Sequence, residues 1–226
     1  MQIIGHRGAS GYAPENTLKA FELALGQGCE YLELDVHLLD DKLIVIHDEQ
    51  LDRTTSGQGL ISDHSLDAIR RLDAGDGEKI PYLDEVIEMV DGQATINIEL
   101  KGPGTAQPTS ALLDAWCLEH RADPNRFLLS SFNHRELAVA SPLYPRGALF
   151  WKMPSDAIDR ALSLNARYMN IALKHVTEDW VSAAHTAGLK VAVYTVNEMD
   201  DIQRMNRWGV DAIFCDYPDR GFQALE

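Results

Sequence analysis

The chain has 226 residues, 45% apolar and 24% charged, with 35 Asp and Glu against 20 Lys and Arg for a formal net charge of −15. That size and balance suit an ordinary soluble globular fold that needs no disulfide staples. The acidity argues against nucleic acid as a partner and against a broad basic membrane-binding face, because both need clustered Lys and Arg.

The three cysteines, Cys29, Cys117 and Cys215, are odd in number and form no Cys-x-x-Cys pair, so they read as reduced core residues. The start of the chain lacks a signal-peptide pattern, and no segment has the ~18 apolar residues of a membrane span. The expected setting is the cytoplasm. The expected partner is a small molecule, with no stable membrane association and a monomeric or homodimeric state.

In chain order, residues 2–6 read as a strand. Pro14-Glu15-Asn16-Thr17 then opens a helix of about a dozen residues ending near Gly26 or Gly28, with Pro near the start and Gly after the end. Residues 31–39 form a second strand that turns at Asp40-Asp41 and returns through Leu43–Ile46 to His47-Asp48. Residues 50–64 are polar and Gly-containing, a surface excursion, and short helices are expected at 65–72 and 83–91.

A regular alternation follows. Strands are expected at 95–100, 127–131, 147–151, 168–171, 190–195 and 211–214, separated by helices near 106–120, 133–140, 155–164, 177–187 and 198–208. Strand–helix alternation argues for a parallel sheet, and eight such units suggest a closed α/β (β/α)8 TIM barrel. An open doubly wound sheet is the alternative. A small insertion around 48–80 follows the second strand, and residues 1–226 read as one barrel domain.

The chemistry gathers at strand ends, where barrel enzymes place their sites. Glu33 and Asp35 sit two residues apart in a strand and leave one face, while Leu32, Leu34 and Val36 leave the other. TINIELK at 95–101 repeats the pattern: Asn97, Glu99 and Lys101 alternate with Ile96, Ile98 and Leu100. With His6-Arg7 after the first strand and His47 at the end of the hairpin, these residues converge on the barrel mouth.

Each has a plainer role taken alone: a core histidine, the wet face of a strand, a rim ion pair, or Arg7 holding Glu15. All of those roles would have to hold together at adjacent strand ends. Three carboxylates without His or Cys ligands favour a hard divalent cation, Mg²⁺ or Ca²⁺, over zinc. Arg and Lys beside such a cation clamp phosphate, and two histidines supply an acid and a base at neutral pH. Together they describe cleavage of a phosphate ester. Phe132 and Tyr194 are candidates for an apolar wall beside a small substrate. His64, His120, His134, His175 and His185 read as surface residues, and His37 is a weak site candidate.

At this point the chain resembles the glycerophosphodiester phosphodiesterase family. The matching stretches are GHRGASGYAPENT at 5–17, ELDVHL at 33–38, VIHDEQLDRTTSGQG at 45–59, IELKG at 98–102, LLSSFN at 128–133 and AAHTAGLKVAVYTVN at 183–197. The resemblance implies a TIM barrel with a small insertion. It implies Glu33, Asp35 and Glu99 as metal ligands, His6 and His47 as the acid/base pair, Arg7 and Lys101 on the phosphate, and Glu15 and Asn16 in support.

The implied substrates are glycerophosphodiesters such as glycerophosphocholine or glycerophosphoethanolamine, cleaved to glycerol 3-phosphate and an alcohol. The implied path starts with attack by the substrate's own glycerol 2-hydroxyl and passes through a cyclic phosphodiester. Tyr194 stands where the family commonly has tryptophan. The alternatives are a lysophospholipase D-like activity on the same barrel and a non-catalytic phosphodiester-binding barrel.

Overall fold

A computed structural model describes residues 1–226. The strands are β1 (Gln2–His6), β2 (Tyr31–Leu39), β3 (Lys42–Val45), β4 (Thr95–Leu100), β5 (Phe127–Ser131), β6 (Arg146–Phe150), β7 (Tyr168–Ala172), β8 (Lys190–Tyr194) and β9 (Ala212–Cys215). The helices are α1 (Leu18–Gly26), α2 (Leu66–Ile69), α3 (Leu83–Val90), α4 (Ala106–His120), α5 (His134–Val139), α6 (Ala157–Ser163), α7 (Glu178–Thr186), α8 (Met199–Arg207) and α9 (Pro218–Gln223). β1 pairs in parallel with both β2 and β9, which closes eight parallel strands into a TIM barrel. β3 stands apart as the antiparallel return of a hairpin with β2.

The side-chain alternation explains the closure. Leu32, Leu34 and Val36 of β2 and Ile96, Ile98 and Leu100 of β4 point outward into one cluster of 44 buried residues that the helices cover. A cluster of only five, including Ile4, Tyr168 and Phe214, plugs the inside. The main core is therefore the layer between sheet and helices, which leaves the upper interior free for charged side chains.

Local signals position the helices. Thr17 caps α1 by accepting the Ala20 N–H, Thr177 caps α7 through Trp180, and Asn133 caps α5 through Arg135 and Glu136. Asp200 and Asp201 open α8 and Arg204 and Arg207 close it, matching the helix dipole at both ends.

One difference from the expected boundaries matters. The first helix begins only after Thr17 and has nine residues, not about a dozen. Pro14, Glu15 and Asn16 remain outside it because Asn16 takes a left-handed backbone, φ 58°, and spends its side chain on Asp35. The other expected strands and helices are present with shifts at their ends, β6 for example running 146–150.

Asp40 and Asp41 turn the hairpin with positive φ angles of 47° and 61°, the pattern of a tight two-residue turn. The insertion that follows packs on the hairpin in a separate core of eight residues, among them Ile44 of β3 and Leu51, Ile69 and Ile80 of the insertion. No helix is long and apolar enough to cross a membrane.

Candidate active site

The parallel register sets the site. β1 aligns His6 with Glu33 of β2, β2 aligns Asp35 with Glu99 of β4, and all four side chains point into the mouth. Oxygens of Glu33, Asp35 and Glu99 lie within 4.8 Å of one another, and all three residues are buried. Leaving so many carboxylates together away from water is costly unless a cation accompanies them.

The flanking groups are cationic. Arg7 donates its backbone N–H to Glu33 Oε2 at 3.0 Å, while its guanidinium donates to Glu15 at 2.8 Å and lies 3.3 Å from Asp35. Arg7 itself has φ 56°. The chain can turn back so tightly because Gly8 follows, at φ 82°, where a Cβ would fall 2.5 Å from the Ala20 backbone. Lys101 Nζ lies 3.0 Å from Glu99 and 3.9 Å from Asp35. Asn16 clips Asp35 from behind, donating Nδ2–H to Oδ2 at 2.9 Å and accepting the Asp35 N–H at 3.3 Å.

These charges do not balance the cluster. Burial, then Asp35 and Glu99, push the Glu33 carboxyl well above its ordinary value against the pull of Arg7. Burial and Asp35 raise Glu99 to about 7 despite Lys101. Buried Asp35 Oδ1 has no hydrogen-bond partner. Three hard oxygen donors, protons held above their usual range and an orphaned oxygen fit a hard divalent cation.

A histidine stands on each flank. His47 reaches the mouth because Ile46 donates its N–H to the Asp35 carbonyl, and His37 Nε2 meets the His47 carbonyl at 3.0 Å. His47 Nδ1 lies 2.5 Å from Asp48, and its Nε2 accepts from Lys101 Nζ at 2.9 Å. Burial lowers the His47 pKa, Arg7 and Lys101 lower it further, and Asp35 and Asp48 oppose them only in part. His6 Nδ1 lies 2.6 Å from Asp216, which also accepts from Ser10 and Asn197.

Every expected site residue is therefore at the mouth. Phe132 lies 5.7 Å from Lys101 Nζ and packs edge-on against Tyr194 at 5.7 Å, and the Tyr194 hydroxyl donates to the Phe150 carbonyl. His37 serves the His47 backbone.

Three further residues were not expected there: Asp216, Asp48 and Arg53. Arg53 donates to Asp48 at 2.5 Å and to both Glu15 oxygens at 2.7 and 2.8 Å, and so ties the insertion to the PENT turn. An open groove of about 520 Å³ runs along this seam past Glu15 and Arg53. Asp216 had a legible signal, since it continues the inward series Ala212 and Phe214 of β9 by one more step of two.

The fold and this arrangement define a phosphodiesterase, and the sequence matches the Glycerophosphoryl diester phosphodiesterase family over residues 6–220. The chain belongs to that family and is an enzyme, a phosphoric diester hydrolase. It is 37% identical over 241 residues to a glycerophosphodiester phosphodiesterase of Bacillus altitudinis, covering 100% of this chain and 98% of the relative.

Among solved structures it is similar to an Oleispira antarctica phosphodiesterase in complex with the product sn-glycerol-3-phosphate. The TM-score there is 0.91 at 34% identity, with 100% of this chain and 96% of that one covered. A glycerophosphodiester phosphodiesterase from Agrobacterium tumefaciens aligns over 100% of both chains with a TM-score of 0.82 at 31% identity.

Proposed function

We propose that this chain hydrolyses glycerophosphodiesters such as glycerophosphocholine or glycerophosphoethanolamine to glycerol 3-phosphate and an alcohol, using a divalent cation, Mg²⁺ or Ca²⁺. Glu33, Asp35 and Glu99 hold the cation, Arg7 and Lys101 hold the phosphate, and Glu15 and Asn16 keep Arg7 and Asp35 in place. Residues 1–226 work as one barrel domain, with 48–80 as an insertion that carries Asp48 and Arg53. The observation that carries this reading is a buried triad of carboxylates within 4.8 Å, flanked by two imidazoles each held at Nδ1 by its own aspartate.

When bound, the cation supplies charge stabilisation for the phosphoryl oxygens and lowers the pKa of a hydroxyl beside it. The rest is the work of side chains. Asp48 and Asp216 accept the Nδ1–H of His47 and His6, which leaves each Nε2 to exchange protons. His47, kept neutral by burial and by the cations Arg7 and Lys101, is suited to take the proton of the glycerol 2-hydroxyl. As the 2-oxygen bonds to phosphorus and the P–O bond to the alcohol breaks, His6 gives a proton to the leaving alcohol and a cyclic phosphodiester is left. Water opens the cyclic phosphodiester with the two roles exchanged. Phe132 and Tyr194 form the apolar wall beside the phosphate.

The test is release of glycerol 3-phosphate from glycerophosphocholine and from glycerophosphoethanolamine by chelator-treated protein, with and without Mg²⁺ or Ca²⁺. Product is expected only with the cation. No product with either cation overturns the reading.

A further inference from the structure

Beyond the Phe132 wall the mouth carries two side chains, Trp151 and Lys174, that none of these roles uses. Phe132 continues the series Leu128 and Ser130 of β5 by one step of two, and Trp151 continues Gly147 and Leu149 of β6 in the same way. The two rings meet edge-on at 6.1 Å. Trp151 is 61% exposed, whereas Trp116, Trp180 and Trp208 pack against the main core. Lys174, in the turn after β7, places Nζ 4.9 Å from the Trp151 ring centroid. It forms no ion pair with any carboxylate, in a chain with 35 acidic residues against 20 basic ones.

We infer that Trp151 and Lys174 seat the variable alcohol of the diester, and that Lys174 favours alcohols carrying negative charge over the cationic alcohols choline and ethanolamine. The inference rests on the phosphodiesterase reading above. The glycerol phosphate half is short and common to every substrate, and its phosphate and hydroxyls are taken up by Arg7, Lys101 and the carboxylate triad. Only the alcohol extends beyond Phe132 toward Trp151.

An exposed indole face is the ordinary place for a quaternary ammonium. Here the protein's own ammonium occupies that face. A cationic alcohol has to displace Lys174 and then meet it as a like charge. An anionic alcohol rests its carbon skeleton on the ring and pairs with Lys174. Tyr194 reinforces the same edge, since its hydroxyl donates to the carbonyl of Phe150, the residue before Trp151, at 2.7 Å.

The experiment measures kcat/KM for three diesters whose alcohols are cationic, neutral and anionic in turn: glycerophosphocholine, glycerophosphoglycerol, and glycerophosphoglycerol carrying a further phosphate. The wild type is expected to prefer the anionic diester over the choline diester by roughly twofold to fivefold at low salt, the range for a partly exposed charge pair, and less at high salt. Lys174→Met should flatten that ratio and Lys174→Glu should invert it. Both changes are on an exposed side chain, and an unaltered melting temperature checks that the fold is kept. A ratio that is the same in wild type and Lys174→Glu overturns the inference while leaving the phosphodiesterase reading intact. Failure of the wild type to cleave any of the three with a divalent cation supplied overturns both.

Discussion

His6 Nδ1 and Asp216 Oδ1 lie 2.6 Å apart and join the first barrel strand to the end of the last across 210 residues of sequence. Burial pushes the Asp216 carboxyl up, but hydrogen bonding and charge from His6, with help from Asn197 and Ser10, bring it down to about 2. Its contribution to stability is therefore present above the ordinary aspartate value near ~3.9 and is lost as pH falls toward about 2. At working pH the aspartate stays ionised and, on the proposed reading, holds a proton of His6 at Nδ1. Asp216→Asn keeps the shape and loses that control. It is expected to lower kcat by roughly 10²–10⁴ with little change in KM, and steady-state kinetics check this. A near-normal kcat would remove Asp216 from the mechanism.

Arg53 is tied to both Asp48 and Glu15, and so braces the histidine on one side and the Arg7 partner on the other. On the proposed reading it is a positioning residue. Arg53→Met is expected to reduce kcat by roughly 10–100-fold, the range for residues that orient a site from behind. The loss should be partly restored in Arg53→Lys, which keeps a charge but not the fork. Equal activity in Arg53→Met and Arg53→Lys contradicts this account.

His47→Ala is expected to cut turnover by roughly 10² or more while the protein stays folded. The pH profile offers a sharper check. The His47 pKa is lowered, by burial first, so His47 remains neutral below the ordinary histidine value near ~6.5. The acidic limb of kcat should fall at a pH below that value, and the limb should vanish in His47→Ala. A limb above it argues against His47 as the first base.

The metal-free protein carries its own signature. Glu99 titrates at about 7, raised by burial and Asp35, against an unfolded value near ~4.3. The native state then holds more protons than the unfolded state between those values, so stability falls as pH rises from about 4 to about 7. Glu99→Gln is expected to flatten that decline in thermal melts of chelated protein. Added Mg²⁺ or Ca²⁺ should raise the melting temperature of the wild type at pH values above the range of the decline, and raise that of the variant much less. An identical pH slope in the two proteins contradicts the crowded-carboxylate description.

Much of this was legible because strand geometry is periodic. Glu33 and Asp35, and Asn97 and Glu99, announce an inward charged face by their spacing alone, and the Asp40-Asp41 turn fixes the register that brings His47 back. Helix boundaries were less legible. Thr17 is a good cap, but Pro14 imitates a helix start, and only the tertiary bond between Asn16 and Asp35 shows why the PENT turn stays open. Arg53 lies in a polar loop without periodicity, so nothing local marks its two carboxylate partners. Asp216 and His6 are neighbours only because the barrel closes, and Lys174 meets Trp151 only through the packing of two loops. Contacts of that kind come from closure of the chain on itself and not from any local pattern.

The most direct measurement is a crystal structure of the protein grown with Mn²⁺ and sn-glycerol 3-phosphate, with the ion located by its anomalous signal. One cation is expected within about 2.0–2.6 Å of an oxygen from each of Glu33, Asp35 and Glu99. The phosphate should lie against Arg7 and Lys101, between His6 and His47. A cation bound elsewhere, or carboxylates that turn away from one another when it binds, would contradict the account.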